Sequence, residues 1–232
     1  MKKLGLVGGM SWVSTVDYYR FINEGINAKL GGLNYAECMI YSVNFNAFVS
    51  NNTAGKWDDT FRILLDACRN LEKAGAEGIV LCANTAHAVA DRLEAEINLP
   101  IIHIVTATAS AIHEKGLRKV GLLGTKFTME MDFYKDKLVS LGIEPLVPAS
   151  QGSRDFIQNT LRDELGKGII LEETKKEYLA IIDELIRDGA EGIILGCTEI
   201  PMIISQEDVS VPVFDTTRLH SDAAVAFALA EW

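Results

Sequence analysis

Short runs of apolar residues alternate along the chain with longer segments in which apolar residues recur every three or four positions. The first pattern predicts strands and the second predicts amphipathic helices. Eight short runs are candidates for strands: 4–8, 38–43, 78–82, 100–105, 120–124, 143–147, 192–196 and 211–215. Because these runs are apolar throughout rather than alternating, they indicate parallel strands covered by helices on both faces. The predicted fold class is therefore α/β.

Two of the longer segments, 57–75 and 173–189, show the helical pattern most clearly. Their apolar stripes consist of Phe61, Leu64, Leu65, Cys68 and Leu71 in the first segment and of Tyr178, Ile181, Ile182 and Leu185 in the second. Each segment ends on a glycine, which commonly stops a helix. The two segments are also followed by nearly identical strands, which suggests that they are copies of one unit.

The chain repeats itself in three places. Three pairs of segments match in the same order: 4–8 with 120–124, 75–87 with 189–201, and 98–109 with 210–221. This predicts an internal duplication into two pseudo-symmetric, doubly wound (flavodoxin-like) parallel-sheet halves. We expect the N-terminal half to comprise 1–98 plus 208–232, with the last helix packing back, and the C-terminal half to comprise 99–207. Since such sheets bind ligands beyond the carboxyl ends of their strands, the active site is expected in a cleft between the halves.

Each copy of the repeated strand ends in a cysteine, but the two cysteines are one residue out of register. In an ungapped match Cys197 aligns with Ala83, whereas Cys82 aligns with Gly196. Successive side chains of a strand point to opposite faces, so Ala83 is expected to face the cleft and Cys82 the sheet–helix packing. A bend at the strand end would instead turn Cys82 inward. Cys197 lies before a polar turn whose backbone N–H groups can lower a thiol pKa, which makes it the candidate reactive thiol.

Polar residues follow the repeated strand ends and also the first strand of each half. They are better suited to binding a carboxylate, or to capping a helix, than to a core. Backbone N–H groups and hydroxyls in such turns form anion-binding nests. The candidate substrate-binding residues are Met10, Ser11, Asn84, Thr85, Thr125, Thr128, Thr198 and Glu199. His87, just beyond Thr85, is expected to be a surface or packing histidine rather than a base.

Composition excludes several classes of function. The 22 basic and 32 acidic residues give a net charge of −10, which argues against a nucleic-acid partner or an anionic membrane surface. No apolar run reaches the roughly 18 residues that a membrane span needs. The four cysteines show no Cys-x-x-Cys or Cys/His spacing, so no metal site is predicted, and reduced thiols in the cytoplasm are expected. The turn GLVGG lacks the spacing of a dinucleotide-binding motif.

Five motifs taken in order, GLVGGMSW, CANTAH, GLLGTKFTME, GCTEIP and VPVFDTTRLH, span nearly the whole chain. Together they resemble the aspartate/glutamate racemase family, part of the Asp/Glu/hydantoin racemase superfamily, and within it the bacterial broad-range amino acid racemases. The resemblance implies a two-half α/β fold, no cofactor and a small amino acid substrate. It also implies that two cysteines face each other across the substrate α-carbon, one removing a proton and the other returning one.

The chain departs from the family pattern at the first cysteine. That motif has Cys directly before Asn-Thr, where this chain has Ala83, whereas the second motif, with Cys197, is intact. The two-cysteine aspartate racemases also carry a selective arginine in the loop after the second strand, and none occurs in 44–56. Lys167 is an alternative positive group, or simply an exposed loop lysine. The departures put strict aspartate specificity in doubt.

The sequence thus predicts a cytoplasmic, pyridoxal-independent racemase of aspartate, glutamate or related amino acids. The superfamily leaves an alternative with Cys197 as sole proton donor: a decarboxylase or a cis–trans isomerase of a small dicarboxylate. A weakly active carboxylate-binding protein is the third hypothesis. A homodimer is expected because family members are commonly dimers, and apolar residues within 26–48 could form the interface.

Overall fold

The computed structural model describes residues 1–230. By internal contacts the chain divides into two compact units. The first contains Met1–Ile104 and the chain from Thr217 onward, and the second contains Val105–Thr216. The predicted limits, 98/99 and 207/208, fall a few residues earlier, because the fourth strand of each half pairs within its own sheet.

All eight predicted strands are present. They are β1 Leu4–Gly8, β2 Cys38–Ser42, β3 Gly78–Leu81, β4 Ile101–Ile102, β5 Lys119–Gly124, β6 Glu144–Leu146, β7 Ile193–Gly196 and β8 Val213–Asp215. They form two four-stranded sheets in which every pairing is parallel, with the orders β2-β1-β3-β4 and β6-β5-β7-β8. The predicted fold class is confirmed, and the identical strand order is what an internal duplication produces.

Helices connect the strands in both units. They are α1 Trp12–Leu30, α2 Phe45–Thr53, α3 Trp57–Lys73, α4 Ala90–Glu94, α5 Ile104–Glu114, α6 Lys126–Glu130, α7 Asp132–Ser140, α8 Gln151–Asp163, α9 Glu172–Arg187 and α10 Thr216–Leu229. The two helical segments singled out by the sequence are α3 and α9. The glycines that follow them, Gly75 and Gly189, have φ of +94° and +98°, which side chains rarely tolerate.

The first sheet separates two apolar clusters. Leu81 and Ala83 lie in the cluster that includes the buried stripe of α3, whereas Val80 and Cys82 lie in the cluster that includes α1 and α10. In the second unit, Tyr178 and its neighbours on α9 pack with α8 and β7. The central strands β1 and β3 are thus buried on both faces, as the sequence pattern predicts, whereas the edge strand β2 is half-buried or exposed.

One predicted strand is much shorter than its apolar run. The run 100–105 forms a strand only at Ile101–Ile102, because α5 begins at Ile104. His103 therefore lies after the strand and is half-buried, rather than in a strand core. A short apolar run cannot by itself distinguish the end of a strand from the first turn of a buried helix.

Candidate active site

The central strands of the second unit end at a point where only glycine fits. Gly124 of β5 pairs with Gly196 of β7. A Cβ added to Gly124 would lie 2.9 Å from the Gly196 carbonyl oxygen, and one added to Gly196 would lie 2.6 Å from the Leu123 carbonyl oxygen. The hydroxyl of Thr216 donates to the Leu195 carbonyl at 2.9 Å, which further fixes the end of β7. Close packing and this hydrogen bond therefore fix the backbone directly before Cys197, at the carboxyl end of the sheet.

Cys197, Thr198 and Glu199 form a compact hydrogen-bonded group in the turn after β7. The Cys197 thiol donates to Glu199 Oε2 at 2.8 Å, and the Thr198 hydroxyl donates to the same oxygen at 2.8 Å. All three residues are half-buried, and Cys197 packs against the apolar cluster of α8, α9 and β7. A thiol that faces a carboxylate in such surroundings can exchange a proton with it.

The thiol is held in its protonated form. Burial raises the pKa of Cys197 well above its ordinary value, and the neighbouring Glu199 carboxylate raises it further. The backbone N–H groups of Thr198 and Glu199 lower the pKa but do not reverse this balance. The expectation of a lowered thiol pKa is therefore wrong. The turn's N–H groups lower the thiol pKa, but burial and a carboxylate two residues away raise it by more.

Thr125 and Thr128 lie after β5, in the same unit as Cys197. Thr125 caps α6 by accepting a hydrogen bond from the Thr128 backbone N–H at 3.3 Å, and their hydroxyl oxygens are 3.2 Å apart. Thr128 is fully buried, and its side chain lies against both Gly124 and Gly196. The two threonines thus stabilise the strand ends beside Cys197, while their predicted role in substrate binding stays a prediction.

In the first unit, the side chains of Cys82 and Ala83 lie on opposite sides of the sheet, as the alternation of side chains along a strand predicts. Cys82 is fully buried among residues of α1 and α10, and its thiol lies 3.7 Å from the Val80 carbonyl oxygen. Burial also raises its pKa far above the ordinary value. Ala83 lies on the other side of the sheet and is 8% exposed. Cys82 does not bend inward at the strand end, so it is a core thiol.

A buried histidine, His87, holds the residues after β3. His87 is buried; its Nδ1 lies 3.0 Å from the Ala83 carbonyl oxygen, and its Nε2 accepts from the Ile104 N–H at 3.2 Å. These partners assign the neutral tautomer with Nδ1–H donating. Asn84 and Thr85, in the same turn, are both at least nine-tenths buried. His87 is thus the predicted packing histidine, and it also fixes the backbone at Ala83.

Met10 and Ser11 occupy the turn between β1 and α1. Met10 is 6% exposed and belongs to the apolar core of the first unit. Ser11 caps α1: its side-chain oxygen accepts from the Ser14 N–H at 3.5 Å, and its carbonyl accepts from the Thr15 hydroxyl at 2.8 Å. The capping alternative for Ser11 is therefore observed. Substrate contact by either residue stays a prediction.

Lys167 lies in a short 3-10 helix, Leu165–Lys167, that follows α8. Its side chain is 60% exposed, and its ammonium group is 3.9 Å from the Asp163 carboxylate. This ion pair between exposed side chains is of the kind that contributes little to stability. The loop 44–56 forms α2, capped by Asn44, and supplies no cation near its start.

A second buried histidine supports the same region of the first unit. His220 of α10 lies with its Nε2 2.6 Å from the Ile102 carbonyl oxygen and its Nδ1 2.8 Å from the Tyr18 hydroxyl. The rings of His220 and His87 are 5.4 Å apart. Because 202 residues separate Tyr18 from His220, the sequence carries no local signal for this contact.

These two histidines make stability depend on pH. Burial lowers the pKa of His87 to about 4, and burial together with His87 lowers that of His220 to about 3. An unfolded histidine has a pKa of about 6.5, so below that value the unfolded chain binds more protons. The contribution of the two neutral histidines to the unfolding free energy is therefore fully present above pH 6.5. It is lost progressively as the pH falls from 6.5 toward their folded-state pKa values. We expect each histidine to remove about 2 kcal/mol of unfolding free energy by pH 5.

The variant His220→Gln tests this expectation. A glutamine amide can donate to Ile102 and accept from Tyr18 without titrating. The unfolding free energy is measured by urea titration at pH 7 and at pH 5. Its decrease between the two pH values should be about 2 kcal/mol smaller in His220→Gln than in the wild-type protein. His113→Gln is the control, because His113 is exposed and its Nε2 lies 2.9 Å from the Leu141 carbonyl oxygen at the surface of the second unit. Equal losses in the wild-type protein and His220→Gln would contradict the assignment.

Within residues 1–230, no helix is both long and apolar enough to cross a membrane. Over the same residues, no cluster of three or more His, Cys, Asp or Glu side chains could hold a metal ion.

The chain is similar to racemases in sequence and in structure. The model of the family described as Asp/Glu/Hydantoin racemase matches residues 7–224. The broad specificity amino-acid racemase RacX of Bacillus subtilis is 24% identical over 98% of each chain. A Yersinia pestis structure, named provisionally as an Asp/Glu racemase, is 46% identical with a TM-score of 0.94, covering 99% of this chain and 100% of that one. The structure of PH1733, an aspartate racemase homologue from Pyrococcus horikoshii, is 39% identical with a TM-score of 0.87 and the same coverage.

Proposed function

Since the chain belongs to the Asp/Glu/hydantoin racemase family, we propose that it is a pyridoxal-independent amino acid racemase acting on aspartate, glutamate or related amino acids. The observation that carries the proposal is the Cys197 thiol, held at the end of a central strand and 2.8 Å from a carboxylate that can exchange its proton. Relatives named broad specificity amino-acid racemase and aspartate racemase homologue support the substrate class.

Racemisation requires removal of the α-proton from one face and delivery of a proton, exchangeable with solvent, to the opposite face of the carbanion. Cys197 is the proposed acid–base group on one face. Ala83 occupies the position of the usual first cysteine. A water, Thr85 or another pocket group is therefore proposed to relay the proton on the other face, or else the reaction runs poorly in one direction. Hydroxyl and amide donors after the strands, Thr125 and Asn84 among them, are proposed to stabilise the negative charge that spreads onto the substrate carboxylate.

A chiral chromatography screen of L- and D-amino acids tests the proposed function. The purified protein is incubated without pyridoxal phosphate, and the appearance of the opposite enantiomer is measured for each substrate. We expect inversion of an acidic amino acid or a close relative, with unequal rates from the two enantiomers. Release of carbon dioxide or isomerisation of a dicarboxylate, without inversion of any amino acid, would instead support the one-cysteine alternative. Binding without turnover would support the carboxylate-binding hypothesis.

We further propose that the protein is a homodimer that uses the surface around β2. Four large apolar side chains within 26–48 are at least 44% exposed: Leu33, Tyr35, Ile40 and Phe45. Ile40 lies on β2, which is an edge strand of the first sheet. A second copy of the chain is the proposed occupant, because exposed apolar residues on an edge strand and in the segments that flank it are typical of association surfaces.

The double variant Leu33→Asp/Tyr35→Asp tests the dimer. Removing two carboxylates from water into an apolar interface has a large free-energy cost, so we expect the variant to sediment as a single chain. The wild-type protein at micromolar concentration should sediment at twice the 25.4 kDa mass of one chain. Val139→Asp, which changes a 60% exposed valine on α7, is the matched control. A wild-type protein that sediments only as a single chain would remove the proposal.

The cytoplasm is the proposed location. All four cysteines are free thiols in the described part of the chain. Free thiols are typical of proteins in reducing compartments. Fractionation of cells that produce the protein, followed by immunoblotting, tests the location.

A further inference from the structure

Ala83 lies at the point where the chain leaves the first sheet. The N–H of the preceding residue still donates to a carbonyl of β1, whereas the Ala83 N–H donates back to the Leu81 carbonyl at 2.8 Å. The Ala83 carbonyl accepts a hydrogen bond from His87 Nδ1–H at 3.0 Å. The position of the Ala83 turn, residues 82–87, therefore depends on where the His87 ring is fixed.

His87 is fixed by the short segment at the end of β4. Its Nε2 accepts from the Ile104 N–H at 3.2 Å, and the centroids of the His87 and His103 rings are 4.7 Å apart. Two residues before Ile104, the Ile102 carbonyl accepts from Nε2–H of His220 on α10 at 2.6 Å. This segment is thus held from two sides, by a histidine of the Ala83 turn and by a histidine of α10.

A tyrosine of α1 extends this set of hydrogen bonds, because the Tyr18 hydroxyl donates to His220 Nδ1 at 2.8 Å. Tyr18 and His220 are fully buried, and His87 is 4% exposed. Burial lowers the pKa of His87 to about 4 and that of His220 to about 3, so at pH 7 each neutral ring has one N–H and one acceptor nitrogen. Tyr18, His220, the segment 102–104 and His87 form what we call the histidine network. Buried polar networks whose hydrogen bonds are made rigidify the segments that they join.

We propose that the histidine network positions the Ala83 turn for proton transfer, with His220 and Tyr18 as positioning residues that act through His87. The inference rests on the racemase function proposed above, in which a water, Thr85 or another pocket group relays the proton on the Ala83 face. A shift of the His87 ring would move the Ala83 carbonyl and also Thr85, which lies in the same 3-10 helix as His87. A misplacement of about 1 Å can slow a reaction by about 10²-fold.

Two variants of His220 test the positioning role through separate values of kcat and KM for racemisation. His220→Leu fills the site but removes both side-chain hydrogen bonds, so kcat should fall by about 10–100-fold while KM changes by no more than a few-fold. His220→Gln can keep both bonds and should retain most of the wild-type kcat. If His220 served only to fill the core, leucine would be the better replacement, so rescue by glutamine distinguishes the two roles.

Hydrogen–deuterium exchange of backbone amides, followed by peptide mass spectrometry, gives a measurement that does not depend on activity. Tyr18→Phe removes the hydroxyl that donates to His220, so peptides that cover 82–90 and 101–105 should exchange at least about threefold faster. Tyr134→Phe is the matched control, because Tyr134 is an equally buried tyrosine on α7 of the second unit. It should leave the exchange of these peptides unchanged.

The outcomes separate the positioning role from the proposed function. Unchanged peptide exchange in Tyr18→Phe, or an unchanged kcat in His220→Leu, would overturn the positioning role, and so would equal losses of kcat in His220→Leu and His220→Gln. If His220→Leu does not fold, Tyr18→Phe replaces it in the kinetic test; its kcat should fall by about three- to tenfold, and an unchanged kcat would overturn the role. A wild-type protein that inverts no amino acid, yet shows faster peptide exchange in Tyr18→Phe, would overturn the proposed function and leave the coupling of α1 to the Ala83 turn supported.

Discussion

Cys197→Ala should abolish exchange of the substrate α-proton, with a loss of at least about 10³-fold. The thiol is the proposed acid–base group on one face of the α-carbon, and it lies 2.8 Å from Glu199 Oε2. Cys197→Ser should be almost as inactive, because an alcohol is a far weaker acid than a thiol. The measurement is deuterium incorporation from solvent at the α-carbon, followed by proton NMR.

Cys82→Ala is the control for Cys197→Ala. Cys82 is fully buried beneath α1 and α10 and faces away from Ala83. Its removal should lower stability slightly, as loss of a small buried group does, and should leave the exchange rate within a few-fold of the wild-type value. Damage to exchange as large as that in Cys197→Ala, in a folded protein, would show that Cys82 takes part in the reaction.

Ala83→Cys should raise the rate of racemisation, by roughly the 10²–10⁴-fold typical of a positioned acid–base group. The family pattern has a cysteine at this position, directly before Asn-Thr, and the side chain here lies on the opposite side of the sheet from Cys82. In the proposed racemase reaction, a second thiol would supply a proton donor and acceptor for the second face of the substrate α-carbon. Initial rates from L- and D-aspartate and glutamate measure the effect.

Ala83→Ser is the matched control for Ala83→Cys, because it adds a group of similar size without thiol chemistry. Ala83 is 8% exposed, so both variants must fit an extra atom into a packed site, and their stabilities should be compared. An unchanged or lower rate in a folded Ala83→Cys protein would mean that Ala83 is not the missing partner of Cys197.

The fold follows from patterns that local sequence carries directly. Continuous apolar runs gave the parallel strands, and the repeat gave two sheets of the same order. The register argument for Cys82 and Ala83 succeeded because a strand alternates its side chains with a fixed period. The fourth strand was overestimated, since the run 100–105 suits both a strand and the first turn of α5.

The chemistry of the site depended on contacts that the sequence does not encode locally. The direction of the Cys197 pKa depends on burial and on which way the Glu199 side chain turns. The bracing of His87 against Ala83 and Ile104, and the contact of His220 with Tyr18, join residues from separate elements. The residue types predict that these positions are polar or packing residues. Their hydrogen-bond partners, however, are known only from the three-dimensional structure.

Deuterium wash-in at the α-carbon, measured together with inversion, tests the central claim most directly. The wild-type protein is incubated in D₂O without pyridoxal phosphate, separately with the L- and D-enantiomers of the best substrate from the chiral screen. The account predicts that solvent deuterium enters the α-position as the opposite enantiomer forms, and that Cys197→Ala abolishes both. Inversion without deuterium incorporation, or exchange that survives in Cys197→Ala, would contradict it.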